Sequence, residues 1–117
     1  MAITTKMRQR IYERDGNKCV DCGSANNLTL QHRVSKGMGG SKMYDTYPYL
    51  ITMCQPCNVA LESDYYRAEK GRFNGWKLSR LSKPPVNPEE IPVKIGTGWF
   101  YLDAQGNKKP ANTKEIK

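Results

Sequence analysis

The sequence predicts a small α+β domain, and three observations carry that prediction: two Cys-x-x-Cys pairs, one stretch of alternating apolar residues, and two segments with helical spacing. With 117 residues, the chain is long enough for one domain with a modest core and too short for two independent ones. Charged residues make up 26% and hydrophobic ones 38%, so an ordered middle with looser ends is expected.

The elements follow in order. Thr4 or Thr5 can cap a helix in which Met7, Ile11 and Tyr12 form an apolar stripe, ending near Asp15-Gly16-Asn17. The first pair, Cys19-Val20-Asp21-Cys22, comes directly after it. From Leu28 to Val34 the pattern alternates, which puts Leu28, Leu30, His32 and Val34 on one face of a strand. Residues 35–42 are too rich in glycine for a regular element and read as an accessible loop whose Lys36 and Lys42 can track a phosphate backbone. A second strand is expected over Tyr49 to Met53, leading into Cys54-Gln55-Pro56-Cys57, and then one helix from Asn58 to Lys70, closed by Gly71. Residues 1–78 thus form the main unit; 79–92, with Pro84, Pro85, Pro88 and Pro92, a connector; 93–107 a C-terminal β-hairpin; and 108–117 a flexible basic tail.

Four thiolates from two tight turns suit a tetrahedral zinc ion at a closed, structural site, so any catalytic metal has to be a second one. The competing reading, redox or buried free cysteines, lacks the βαβ pattern that usually accompanies it. The N-terminus has no apolar run of the secretory kind and no stretch reaches bilayer length, so a cytoplasmic protein with no membrane partner is expected.

Nineteen Lys and Arg against eleven Asp and Glu leave a net charge of +8, which favours polyanions, although solubility alone also uses such a balance. From Arg67 to Lys83 the bases Arg67, Lys70, Arg72, Lys77, Arg80 and Lys83 face Glu69 as the one acid, and the first helix adds Lys6, Arg8, Arg10 and Arg14. Arg33, Lys36, Lys42, Arg67, Lys70 and Arg72 are the candidate nucleic-acid contacts. Tyr65, Tyr66, Trp76 and Trp99 are either core residues or anchors for a protein partner.

His32 is the only histidine. Alone on an apolar strand face it is more often a packing residue than a catalyst, and its context is what argues otherwise. In one order the chain has Arg10 to Cys22, Leu30-Gln31-His32-Arg33, Gly37-Met38-Gly39-Gly40-Ser41, Leu50-Ile51-Thr52-Met53-Cys54 and Cys57-Asn58, and this order resembles the HNH endonuclease family, particularly its small phage-encoded members. The resemblance implies a ββα-metal (His-Me finger) core with an N-terminal helix. It implies His32 as general base, Asn58 as a metal ligand opening the helix as in HNN variants, and Gln31 at the position before the base where Asp or His is usual. Tyr49 stands where the family's middle asparagine orients the base, partly through its main-chain carbonyl. Mg2+ or Mn2+ would then act on DNA phosphodiesters, with Zn2+ structural, phage packaging proteins as further partners, and the host cytoplasm as the location. A carboxylate is missing at Gln31, so weak metal affinity is implied. Strict alternation also sends Gln31 and His32 to opposite faces unless the strand twists or bulges. The alternative is a catalytically degenerate zinc module that binds nucleic acid without cleaving it.

Overall fold

A computed structural model describes residues 3–34, 44–78 and 87–111. Its first element, helix α1 (Thr5–Arg14), starts where the Thr4 hydroxyl accepts the Met7 N–H at 3.1 Å, a cap that contributes about 1 kcal/mol. It stops at Asp15, where Gly16 and Asn17 both turn to positive φ. Ile11 and Arg14 are its buried residues.

Strands β1 (Leu28–His32) and β2 (Leu50–Cys54) pair antiparallel from Leu28 opposite Cys54 to His32 opposite Leu50, with no bulge. A two-stranded sheet has two open edges, and here side chains, with one main-chain N–H, meet groups on both. On the outer side of β2, Asp15 accepts the Thr52 N–H at 2.9 Å, Val20 N–H donates to the Thr52 carbonyl at 3.0 Å, and Arg14 donates to the Leu50 carbonyl. On the outer side of β1, the Tyr12 hydroxyl donates to the Leu28 carbonyl at 2.9 Å, Asn58 to the Leu30 carbonyl at a long 3.4 Å, and Gln31 to the His32 carbonyl at 2.8 Å.

Two helices replace the single one expected over 58–70: α2 (Gln55–Ser63) follows β2 directly with Pro56 in its first turn, and α3 (Tyr65–Phe73) comes after a break at Asp64. Asp64 is extended, with φ −109 and ψ 122, and its carboxylate accepts the N–H groups of Tyr66 and Arg67 at 2.9 and 3.3 Å. Its side chain therefore starts a new helix instead of continuing the old one. Gly71 does not close the helix as expected but lies inside α3, where a Cβ would meet Leu61 Cδ1 at 2.4 Å; α3 ends at Asn74.

Strands β3 (Val93–Ile95), β4 (Gly98–Leu102) and β5 (Lys108–Pro110) form a second antiparallel sheet in that order. Residues 108–110, expected as the start of a tail, are thus paired with β4; residues 112–117 of that tail, the Gly-rich loop with Lys36 and Lys42, and 79–86 of the connector lie outside the described residues. The second sheet shares the main core, since Val93, Ile95 and Leu102 pack with Ile51, Met53, Leu61 and Trp76. Trp76 is 1% exposed and its indole N–H donates to the Lys94 carbonyl at 2.8 Å, which satisfies the polar end of a large buried ring. No helix among the described residues is long and apolar enough to cross a membrane.

Candidate metal centre and histidine site

Cys19 and Cys22 sit on a turn closed by Cys19 N–H to the Ser24 carbonyl at 2.8 Å and Gly23 N–H to the Cys19 carbonyl at 3.0 Å. Cys54 ends β2, and Cys57 lies in the first turn of α2, where unpaired helix N–H groups favour negative charge. The four Sγ atoms lie within 4.8 Å of one another, and Cys22 and Cys54 are 3.6 Å apart. A zinc ion with bonds of about 2.3 Å needs sulfur–sulfur edges of about 3.8 Å, so the cluster could hold a structural metal ion such as zinc. The main-chain N–H groups of Asp21 and Cys22 aim at Cys19 Sγ at 3.4 and 3.5 Å, contacts suited to a thiolate. Burial and the neighbouring sulfurs push the Cys57 thiol up, as burial does for Cys54, and a dication reverses that tendency by taking the thiolates as ligands.

Helix α3 is fastened to this cluster. Asp21, between the first two cysteines, has a side chain only 5% exposed and pairs with Arg67 at 2.6 Å and Lys70 at 2.7 Å. Burial works to raise its pKa, but the hydrogen bonds and charge of Lys70 and Arg67 outweigh it and hold the carboxyl below its ordinary value. Arg67 also donates to Cys57 Sγ at 3.3 Å. Arg67 and Lys70, expected to face nucleic acid, are thus engaged in ion pairs within the molecule although their side chains stay partly solvated, and Arg72 pairs with Glu69 along the helix.

Arg33 requires the clearest correction. It is 0% exposed, and its guanidinium donates to the carbonyls of Gly75, Pro48, Pro88 and Ile91 at 2.8 to 3.0 Å. Desolvation, then the charge of Arg14, pulls its pKa down to about 9, so it stays charged at neutral pH. Its planar fork matches several carbonyls at once, a role that a surface contact to phosphate excludes.

Because β1 is regular, Gln31 and His32 point to opposite sides. Gln31 is buried, facing α2, and its Nε2 lies 3.2 Å from Glu62 Oε2. Asn58 donates to the Thr29 hydroxyl at 2.9 Å as well as to the Leu30 carbonyl. Asn58 thus spends its N–H groups on β1, Gln31 divides its own between β1 and Glu62, and among the described residues neither Gln31 Oε1 nor Asn58 Oδ1 accepts a hydrogen bond. Amide oxygens are legitimate ligands for hard cations, and Glu62 brings a carboxylate to the same side of β1. Glu62 also takes Lys77 Nζ at 3.2 Å. Sequence reasoning passed over Glu62, although it stands one helical turn after Asn58 and so on the same face.

On the other side, His32 Nε2 is 2.7 Å from Asp45 Oδ1, with the two side chains 26% and 10% exposed. Asp45 was also missed, because no periodicity links it to the strand across the intervening glycines. The contact to the His32 ring comes from Asp45, and among the described residues none comes from Tyr49, whose carbonyl takes the Arg33 N–H at 2.7 Å and whose ring packs edge-on against Tyr44 at 5.0 Å. The site therefore consists of a four-cysteine cluster, an amide and carboxylate group on the α2 side of β1, and an imidazole–carboxylate pair on the other. Comparison with family models, with curated proteins and with solved structures returns no match, so the chemistry of these groups carries the functional argument.

Proposed function

We propose that the chain is a metal-dependent HNH-type endonuclease that hydrolyses DNA phosphodiester bonds, with β1, β2 and α2 as its ββα-metal core. The observation that carries this reading is the His32–Asp45 contact at 2.7 Å. A carboxylate can only accept, so Nε2 carries the proton and Nδ1 keeps its lone pair. His32 is thereby prepared to take a proton from an attacking water, while Asp45 stabilises the imidazolium that results. Gln31, Asn58 and Glu62 are the residues that would hold Mg2+ or Mn2+, with the Asn58 amide anchored to the strand and the Gln31 amide bridging the strand and Glu62. A bound divalent cation supplies Lewis-acid stabilisation of charge on the phosphate. Because neighbouring residues of one strand present the two groups, a phosphate lying across the β1 edge can meet both, and positioning provides much of the rate.

A second reading, a zinc module that binds nucleic acid without cleaving it, draws on the neutral Gln31 and on Lys77 occupying Glu62. Zinc-loaded protein incubated with supercoiled plasmid and Mg2+ or Mn2+ separates the two. The nuclease reading expects nicking that His32→Ala abolishes; the module expects salt-sensitive binding and intact plasmid under every cation.

A further inference from the structure

On the surface between α1 and the turn joining β4 to β5, two adjoining hollows of about 390 and 370 Å³ share Arg10 and Glu13 as a common wall. Lys6, Arg10 and Glu13 lie along one face of α1 at helical spacing, Tyr47 and Gln105 complete one hollow, and Lys108 borders the other. The turn comes this close because residue 106 is glycine: its φ is +87, and a Cβ there would stand 2.9 Å from Arg10 Cγ and 3.1 Å from Tyr47 Cε1. Next to it, Asn107 Oδ1 accepts from Arg10 Nη2. The arginine is thereby held by a neutral acceptor, which restrains it without cancelling its charge. Among the described residues, Lys6, Arg10 and Lys108 form no ion pair, and Lys108 Nζ rests over the Phe100 ring at 4.6 Å. Glu13 is the one acid in the lining.

We infer that this cleft binds a backbone phosphate of duplex DNA, with Arg10 as the main contact and Lys6 and Lys108 on either side. Two residues before Tyr47, on the same connection, is Asp45, which holds His32, so the cleft adjoins the imidazole side of the sheet. A guanidinium with open N–H donors and no acidic partner matches a phosphodiester, whereas the paired cations of α3 do not. The inference rests on the nucleic-acid reading above but does not require cleavage.

The test is equilibrium binding of full-length, zinc-loaded His32→Ala protein to a short fluorescein-labelled DNA duplex, read by anisotropy across a salt series. Arg10→Gln should weaken binding about tenfold near 0.1 M salt and reduce the salt slope by about one, and Lys6→Gln should act in the same direction. Arg72→Gln on α3 should change it less than about twofold. Unchanged thermal unfolding of Arg10→Gln would assign its effect to binding and not to folding. Equal affinity of Arg10→Gln and its parent, or loss in Arg72→Gln alone, overturns the inference, as does failure of the parent to bind the duplex. If Arg10 governs binding while the native chain leaves plasmid uncut, the inference stands and the nuclease reading falls; if the native chain cuts efficiently and Arg10 has no effect, the nuclease reading stands and the inference falls.

Discussion

Helices α1 and α3 look alike in sequence, each basic and about ten residues long, yet the fold uses their charges in opposite ways. On α3, Arg67 and Lys70 converge on Asp21 beside the cysteine cluster, and Arg72 is matched by Glu69 one turn away. On α1, Lys6, Arg8 and Arg10 form no ion pair among the described residues; only Arg14 turns inward, to Asp15 and to the carbonyls of Tyr47 and Leu50. Charge density along a chain therefore does not identify its interacting face, because the acid that neutralises a helix can come from a turn far away in sequence. The helix whose cations are still unmatched after folding is the one with electrostatic reach.

Zinc removal is the strongest way to break this comparison, since it takes away the cluster to which the α3 cations are fastened and with it the staple of the whole core. A structural tetrathiolate site can supply up to about 10–16 kcal/mol of apparent binding energy, comparable to the whole stability of about 5–15 kcal/mol expected of a domain this size. Chelation should abolish the cooperative thermal transition and most helical circular dichroism; a protein equally well folded without metal would remove the cluster from the architecture.

Arg33→Ala comes next. Four main-chain carbonyls lose a charged donor in the interior, so a loss of about 3 kcal/mol or more is expected in denaturant unfolding. Asp21→Asn should cost less, about 1–2 kcal/mol, because Arg67 and Lys70 are partly solvated although the carboxylate is buried. The same change should also speed zinc transfer to a colorimetric chelator, because Arg67 would lose its anchor beside Cys57. Smallest is Glu69→Gln, on an exposed pair, with an expected change below about 0.5 kcal/mol. Equal costs for Asp21 and Glu69 would show that α3 is not fastened to the cluster at all.

The sequence made some of these features readable and concealed others. The cysteine pairs announce their own geometry, since Cys-x-x-Cys on a tight turn has few uses in an α+β domain, and the alternation over Leu28 to His32 matches the observed strand. The helix break at Asp64 was hidden because apolar residues on both sides keep an acceptable helical spacing, and only the capping tendency of an aspartate argued against continuity. Arg33 was misplaced because charged residues are rarely buried, and nothing local shows that Pro48, Gly75, Pro88 and Ile91 converge with their carbonyls free. Glu62 lay within reach of a helical-turn argument from Asn58, whereas Asp45 depends on how a glycine-rich connection returns, which spacing does not encode.

The central claim is that Asp45 prepares His32 as a base, and Asp45→Asn tests it most directly, since an amide of the same shape can donate to Nε2 and so reverse the tautomer. Plasmid nicking by this variant, measured beside its duplex affinity, should fall about 10²- to 10⁴-fold with binding unchanged. A variant that nicks as fast as the native chain would contradict the account.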